Sequence, residues 1–276
     1  MRIHLFEIED QAWCPKIFRN FLTDFLRHFE TATNIYNETI PIIKKGLRFA
    51  SSNQIIDLCS GGSGPWLTLK QEINRTNVLL TDLYPNEQTI KLTDTLKIPK
   101  VRYHCKPVDA LAVDKNLRGL KTLFGSFHHF RPEQAKKILI DAVGNNDPIA
   151  VFEFTERKFV NLFIQPFGVL ISMALITPFI KPFKISRLIF TYLIPIVPLM
   201  TIWDGYISNL RTYSPKELLC MTSALDSYQW EIGIIKTKQP LINITYLLGH
   251  PKKKLTGDLK GRESSTNSLA IDREFI

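Results

Sequence analysis

The feature that most constrains this chain is an alternation. Short apolar runs at 55–58, 78–81, 101–105, 122–124 and 149–154 each end in polar or turn-forming residues, and helical stretches separate them. Strands that alternate with helices pack as a mostly parallel sheet, because parallel neighbours need a long crossover connection. The helices carry their own punctuation: 65–74 opens on Pro65, and 132–143 has Pro132 in its first turn and Gly144 just past its end. A helix at 214–225 opens with Ser214-Pro215 and an early Glu217. The apolar runs at 230–235 and 242–248 then read as an antiparallel edge. The expected fold class is therefore α/β: a doubly wound, mostly parallel seven-stranded sheet.

Ahead of the sheet, residues 15–29 place Ile17, Phe18, Phe21, Leu22, Phe25, Leu26 and Phe29 at three- and four-residue spacing, the stripe of an amphipathic helix. A second helix over 37–49 leads into the first strand. A chain of 276 residues with 45% hydrophobic and 22% charged residues folds rather than staying disordered, and only 252–276 has the polarity of a flexible tail. Cys14, Cys59, Cys105 and Cys220 form no CxxC pair and no Cys/His cluster of ligand spacing, so no metal is expected and a reducing, cytosol-facing compartment fits. The start of the chain carries Glu7, Glu9 and Asp10 and lacks the apolar run of a secretory signal.

The net charge of +9 fits nucleic acid, an anionic membrane, an acidic substrate or simple solubility, and position decides among them. Between Arg157 and Trp203 the charged residues are Arg157, Lys158, Lys181, Lys184 and Arg187, with no acid, inside the most apolar part of the chain. That suits a lipid surface and not a nucleic-acid groove.

The strongest local signal is Ile55-Ile56-Asp57-Leu58-Cys59-Ser60-Gly61-Gly62-Ser63-Gly64-Pro65-Trp66, a strand running through a Gly-rich turn into a helix. Glycine permits positive φ and lets a ligand approach the main chain. Asp82 and Leu83 follow the second strand, where an acid accepts hydrogen bonds from ribose hydroxyls. Asp109 and Ala110 follow the third. In this order the three features resemble the class I S-adenosylmethionine-dependent methyltransferases over roughly 53–154. The resemblance implies S-adenosylmethionine as cofactor, with Asp57, Ser60, Gly61, Gly62, Ser63 and Gly64 shaping the loop under its methionine part, Asp82 and Leu83 at the ribose, Asp109 and Ala110 at adenine, and Ser126 and Phe127 after the fourth strand. The commoner loop has Gly directly after the Asp-x pair, and here Cys59 stands there. A dinucleotide oxidoreductase shares the architecture, but its G-x-G-x-x-G spacing is absent.

The segment Gly125-Ser126-Phe127-His128-His129-Phe130 follows the fourth strand, whose carboxyl end in this fold lies beside the reacting centre. His128 and His129 are the candidate proton acceptors, and in an extended segment they point different ways, leaving one for the substrate. Glu153, ending the fifth strand, is a candidate for substrate contact or a cap for the next helix. Trp203-Asp204-Gly205 and Arg211-Thr212-Tyr213 close the apolar region and are candidate walls of the site.

That region is expected to form an inserted apolar helical hairpin. No charge occurs over 159–180 or 188–203, and the mildly polar Asn161, Gln165, Gly168 and Ser172 fall on one helical stripe. Roughly 22 uncharged residues suffice to span a bilayer. However, Pro166, Pro178, Pro182, Pro195 and Pro198 are expected to cut the region into helices of about a dozen residues, near 18 Å each and short of the ~30 Å hydrocarbon core. Lying in the interface is the expectation, with Phe167, Leu170, Leu175 and Leu193 sunk in lipid and Lys181, Lys184 and Arg187 among headgroups. A spanning hairpin, a lid over the site and a dimer interface are the alternatives. The domain reading is thus 1–52 as a helical cover, 53–155 with 204–251 as the cofactor-binding domain, 156–203 as the membrane-associating insertion, and 252–276 as the tail. The function expected is methyl transfer to a small, lipophilic or membrane-associated acceptor on the cytoplasmic side of a membrane. The alternative is a membrane-bound, non-catalytic scaffold or sensor that keeps a nucleotide-binding fold.

Overall fold

The computed structural model describes residues 2–63 and 65–252. Its centre is a seven-stranded sheet in the order β3-β2-β1-β4-β5-β7-β6. The strands are β1 (Gln54–Asp57), β2 (Asn77–Leu80), β3 (Val101–Tyr103), β4 (Leu120–Phe124), β5 (Ile149–Glu153), β6 (Tyr228–Lys236) and β7 (Asn243–Pro251). The first five run parallel, and β7 lies antiparallel between β5 and β6. Chain order reverses between β1 and β4, the switch point at which open α/β sheets bind ligands.

Why the apolar runs are continuous follows from their position. β5 is buried at all five residues, because helices cover both faces of the sheet and neither face is left to water. Adjacent residues then serve opposite cores. Ile55, Phe152 and Leu248 join one cluster with Tyr36 and Trp66, while Ile56, Val151 and Leu247 join the other with Ile138 and Leu139.

The helices before the apolar region are α1 (Lys16–Thr33), α2 (Ile40–Leu47), α3 (Trp66–Leu69, continued by a 3-10 turn), α4 (Glu87–Leu96) and α5 (Pro132–Gly144). The sequence reading did not predict α4. Its buried face is Thr89 and Thr93, which leave no apolar stripe, and its clearest mark is the Asn86 side chain accepting from the backbone of Gln88 and Thr89 at 2.9 and 3.3 Å.

In the apolar region α6 (Phe159–Ile176) runs on through a 3-10 turn to Phe179, giving 21 continuous residues. This corrects the expectation of helices a dozen residues long. Pro166 removes one N–H, but tertiary packing holds both flanks. Met173 is buried with Phe21 and Phe25 of α1, and the Gln165 amide donates to the Ile202 carbonyl at 3.3 Å. α7 (Ile185–Leu188) and a π turn to Leu193 are followed, across a bend of 74°, by α8 (Ile196–Arg211), which packs on α6. Pro198 sits in its first turn and breaks nothing. Finally α9 (Pro215–Thr222) starts with a capping box between Ser214 and Glu217.

Candidate active site

The turn after β1 is wound by three positive φ values: Cys59 (57°), Gly61 (45°) and Ser63 (82°). Cys59 therefore keeps a left-handed geometry at the position of the commoner glycine, at a cost of about 1 kcal/mol. Asp57 lies beneath the turn with both oxygens taken: Thr122 Oγ1 donates to one at 2.6 Å and Ser60 Oγ to the other at 2.6 Å. Burial pushes its carboxyl up to about 6, against the pull of those two hydroxyls. Asp57 thus holds the loop. The two described glycines differ in what they admit. A Cβ on Gly61 would meet nothing within 4 Å, whereas one on Gly62 would stand 2.7 Å from Thr23 Cγ2 of α1. Gly61 faces open space, and Gly62 admits a helix.

Asp82 closes this arrangement from β2. Its carboxylate accepts from the Gly61 N–H and the Tyr84 N–H, each at 2.9 Å, and burial raises its pKa. The Val108 N–H donates to the Asp82 carbonyl at 2.9 Å, which brings the end of β3 alongside, and Asp109 accepts from Leu111 N at 2.9 Å. Burial together with Asp82, Asp57 and Asp109 pushes the Cys59 thiol well up, so the acids of three successive strands converge on one turn.

Beside this turn lies a cavity of about 370 Å³. The turn, Asp82 and Asp109 do not line it. Its floor includes Gly125, Phe154 and Glu30, and its walls come from α1 (Leu22, Phe25), α6 (Asn161, Gln165, Gly168, Ser172) and α8 (Asp204, Gly205). Helix α1 borders both regions, since its Thr23 abuts Gly62 while its Leu22 and Phe25 wall the cavity; burial and then the Asp57 charge push the Glu30 carboxyl up to about 8. The Tyr36 hydroxyl, buried and without a hydrogen-bond partner, lies 3.1 Å from where a Cβ of Gly125 would stand.

A polar cluster forms one end of the cavity. A 3-10 turn (Phe127–His129) follows β4, and Glu153 fixes it, accepting from the N–H of Phe127 at 2.7 Å and of His128 at 3.2 Å. The other Glu153 oxygen lies 2.7 Å from His128 Nδ1. Glu7, fully buried on an N-terminal strap, lies 3.0 Å from His129 Nδ1 and 3.1 Å from Arg211 Nη1. Burial alone would lower the His129 pKa, but Glu7 and Asp10 overcome it and hold it well above the usual value. Asp204 fastens the strap by accepting from the backbone of Ile8 at 2.5 Å and Glu9 at 3.1 Å.

No protein-family model matches the chain, and no curated protein matches it in sequence. Among solved structures, the plantazolicin methyltransferase BpumL in complex with SAH (S-adenosylhomocysteine) matches at a TM-score of 0.51 and 13% identity, over 89% of this chain and 93% of that one. The same enzyme with a triazolic desmethylPZN analog and SAH gives 0.51 and 14% over the same shares. In this chain the sheet order is β3-β2-β1-β4-β5-β7-β6, with β7 antiparallel beside β5. The chain has the class I methyltransferase fold. A chain described as a Zn-dependent alcohol dehydrogenase from Rhodobacter sphaeroides also matches, at 0.51 and 10% over 90% of this chain and 99% of that one. Because these descriptions differ in chemistry, the likeness gives the architecture alone, and any reaction rests on the residues.

Within this methyltransferase fold the sequence-predicted residues separate by environment. Asp57, Ser60, Gly61, Gly62, Ser63 and Asp82 come together, Leu83 is exposed beside them, and Asp109 is exposed at the end of the next strand. Ala110 and Phe127 are buried in the core. Ser126 Oγ is buried with no partner, and Gly64 and the tail beyond Lys252 lie outside the described residues. His128 and His129 do not diverge as in an extended segment: the 3-10 turn sets their ring centroids 4.4 Å apart at a 31° tilt, and both meet Glu7. Glu153 caps that turn instead of the next helix. Phe167, Leu170, Leu175 and Leu193 are exposed, Leu193 at 76%, and so is Lys181. Arg187 corrects the expectation of a headgroup contact, being 2% exposed and paired with Asp24, which also draws Lys184 to 3.5 Å. Sequence reasoning missed Glu7, Asp24, Glu30 and Tyr36. The acidic run Glu7-x-Glu9-Asp10 was a signal for the first, because acids grouped before an apolar helix need partners once buried.

Proposed function

We propose that the chain transfers a methyl group from S-adenosylmethionine to a small, lipophilic acceptor. The observation that carries this is the placing of helix α1 between the two regions: its Thr23 abuts Gly62 of the turn, while its Leu22 and Phe25 wall an apolar cavity floored by Gly125 and Glu30. The residues fit the cofactor: Gly61 leaves open space where a Cβ would stand, and Ser126 Oγ is a buried polar atom in want of a partner. Ser60, Gly61, Gly62 and Ser63 would hold its methionine part, Asp82 and Leu83 its ribose, and Asp109 its adenine. When bound, it supplies a methyl group on a sulfonium. The chain's own work is then to align the acceptor and exclude water, and the apolar walls from α1 and α6 suit both. His128 and His129 line the polar end of the cavity and would meet the acceptor's nucleophilic atom, with Glu153 orienting His128.

The acceptor is inferred to arrive from a membrane, with the chain on the cytoplasmic side. One face of α6 carries Phe159, Phe163, Phe167, Ile171 and Leu175, all exposed, while the opposite stripe lines the cavity. Its 21 residues would reach across about 30 Å. Packing along α1 and α8 ties it flat to the domain, which favours lying in the interface over spanning. Incubation with S-adenosylmethionine and a lipid extract is expected to produce S-adenosylhomocysteine. A chain that binds the cofactor yet forms none of it would be a scaffold and not an enzyme.

A further inference from the structure

We propose that Glu7, His128 and His129 bind a divalent metal ion of the Zn²⁺ type. One carboxylate oxygen and two imidazole nitrogens lie within 4.8 Å of one another, from a strap and a turn far apart in sequence. No cysteine or histidine spacing announces such a site, which is why the sequence predicts no metal.

The second, independent observation is His128 Nε2. This ring is 3% exposed, its Nδ1 is held by Glu153 at 2.7 Å, and its Nε2 has no hydrogen-bond partner while standing 3.8 Å from Glu7 Oε1. With Nδ1–H donating to Glu153, Nε2 carries a lone pair directed toward a carboxylate. A buried acceptor left so is destabilising, and a cation between the two would satisfy both. Glu7 Oε2 is likewise buried without a hydrogen bond, although ionic partners stand close.

The surroundings match a metal centre in two further ways. A carboxylate behind a ligating imidazole orients the ring and fixes its tautomer, the position Glu153 takes behind His128. Charge also favours a dication: three carboxylates, Glu7, Asp10 and Glu153, gather about the two imidazoles, with the Arg211 guanidinium paired to the first two. Two nitrogens and one oxygen suit Zn²⁺ and its neighbours, and three protein ligands leave a position open. Both histidines line the cavity, so that position would take an oxygen of the acceptor. This role rests on the methyl-transfer reading, but the binding does not.

Calorimetric titration of the chelator-treated full chain with Zn²⁺, without cofactor, is expected to show saturable binding of about one ion per chain. Glu153→Gln should weaken it about tenfold or more, and His128→Ala and His129→Ala further. Because Glu7→Gln disturbs a buried group, circular dichroism is read alongside, and half-exposed His129 provides the variant safest for folding. Wild type without saturable binding, or affinity unchanged in folded His128→Ala and His129→Ala, would overturn the proposal. Metal binding without S-adenosylhomocysteine formation would leave the ion site standing and remove only the methyl-transfer reading.

Discussion

At the residue scale the β1 turn is over-determined. Asp82 is held by two backbone N–H groups while remaining half-exposed, so a ribose would share its carboxylate with Gly61. Removing a charge-assisted acceptor costs about 1.5–3 kcal/mol. Asp82→Asn is therefore expected to weaken S-adenosylhomocysteine binding at least about tenfold by calorimetry, and unchanged affinity would remove Asp82 from the site. Asp57 carries a pH prediction. Its pKa rises from 3.8 to about 6 on folding, so between those values the folded chain holds more protons and stability falls as pH rises. Wild type should thus lose about 2 kcal/mol relative to Asp57→Asn between pH 4 and 7, measured by denaturant unfolding of both proteins. The acids at 57, 82 and 109 were legible in the sequence because strand ends mark them. Glu30 and Tyr36 were not, since only tertiary contact turns them toward the same place.

At the element scale, α1 does more than cover the sheet. Its Thr23 abuts Gly62, its Phe21 and Phe25 pack on α6, and its Asp24 gathers Arg27, Lys184 and Arg187. Asp24→Ala would leave the Arg187 guanidinium buried and unpaired, a loss of about 3–5 kcal/mol. Thermal melting should show it, and a melting point near that of wild type would mean the pair is dispensable. Gly62→Ala should loosen the same contact, because its methyl needs space now held by Thr23. The apolar stripe of α1 was readable from spacing, but the role of Asp24 was not, because two of its partners, Lys184 and Arg187, lie more than 150 residues on. Proline misled in the opposite sense. In α6 and α8 it sits where neighbouring helices or a first turn absorb the missing N–H, and no local rule reveals that.

At the scale of the whole molecule, one side bears a band of exposed apolar side chains from α6, α7 and α8, with Lys181 at its margin. The full chain is expected to co-sediment with anionic vesicles, and Phe163→Glu with Phe167→Glu should release it while leaving calorimetric cofactor binding intact. Failure of the wild type to sediment would make the band a lid or a contact between copies. The sequence by itself determined the sheet, its mostly parallel order, the Gly-rich turn and the apolar insertion. Each is written in local periodicity or in residues adjacent along the chain. Only the tertiary structure decided that Arg187 is a core ion pair, that α6 runs unbroken, and that Glu7 meets His128 and His129. Those outcomes depend on which distant groups share one low-dielectric space, where an unpaired charge or lone pair must find a partner wherever the fold supplies it.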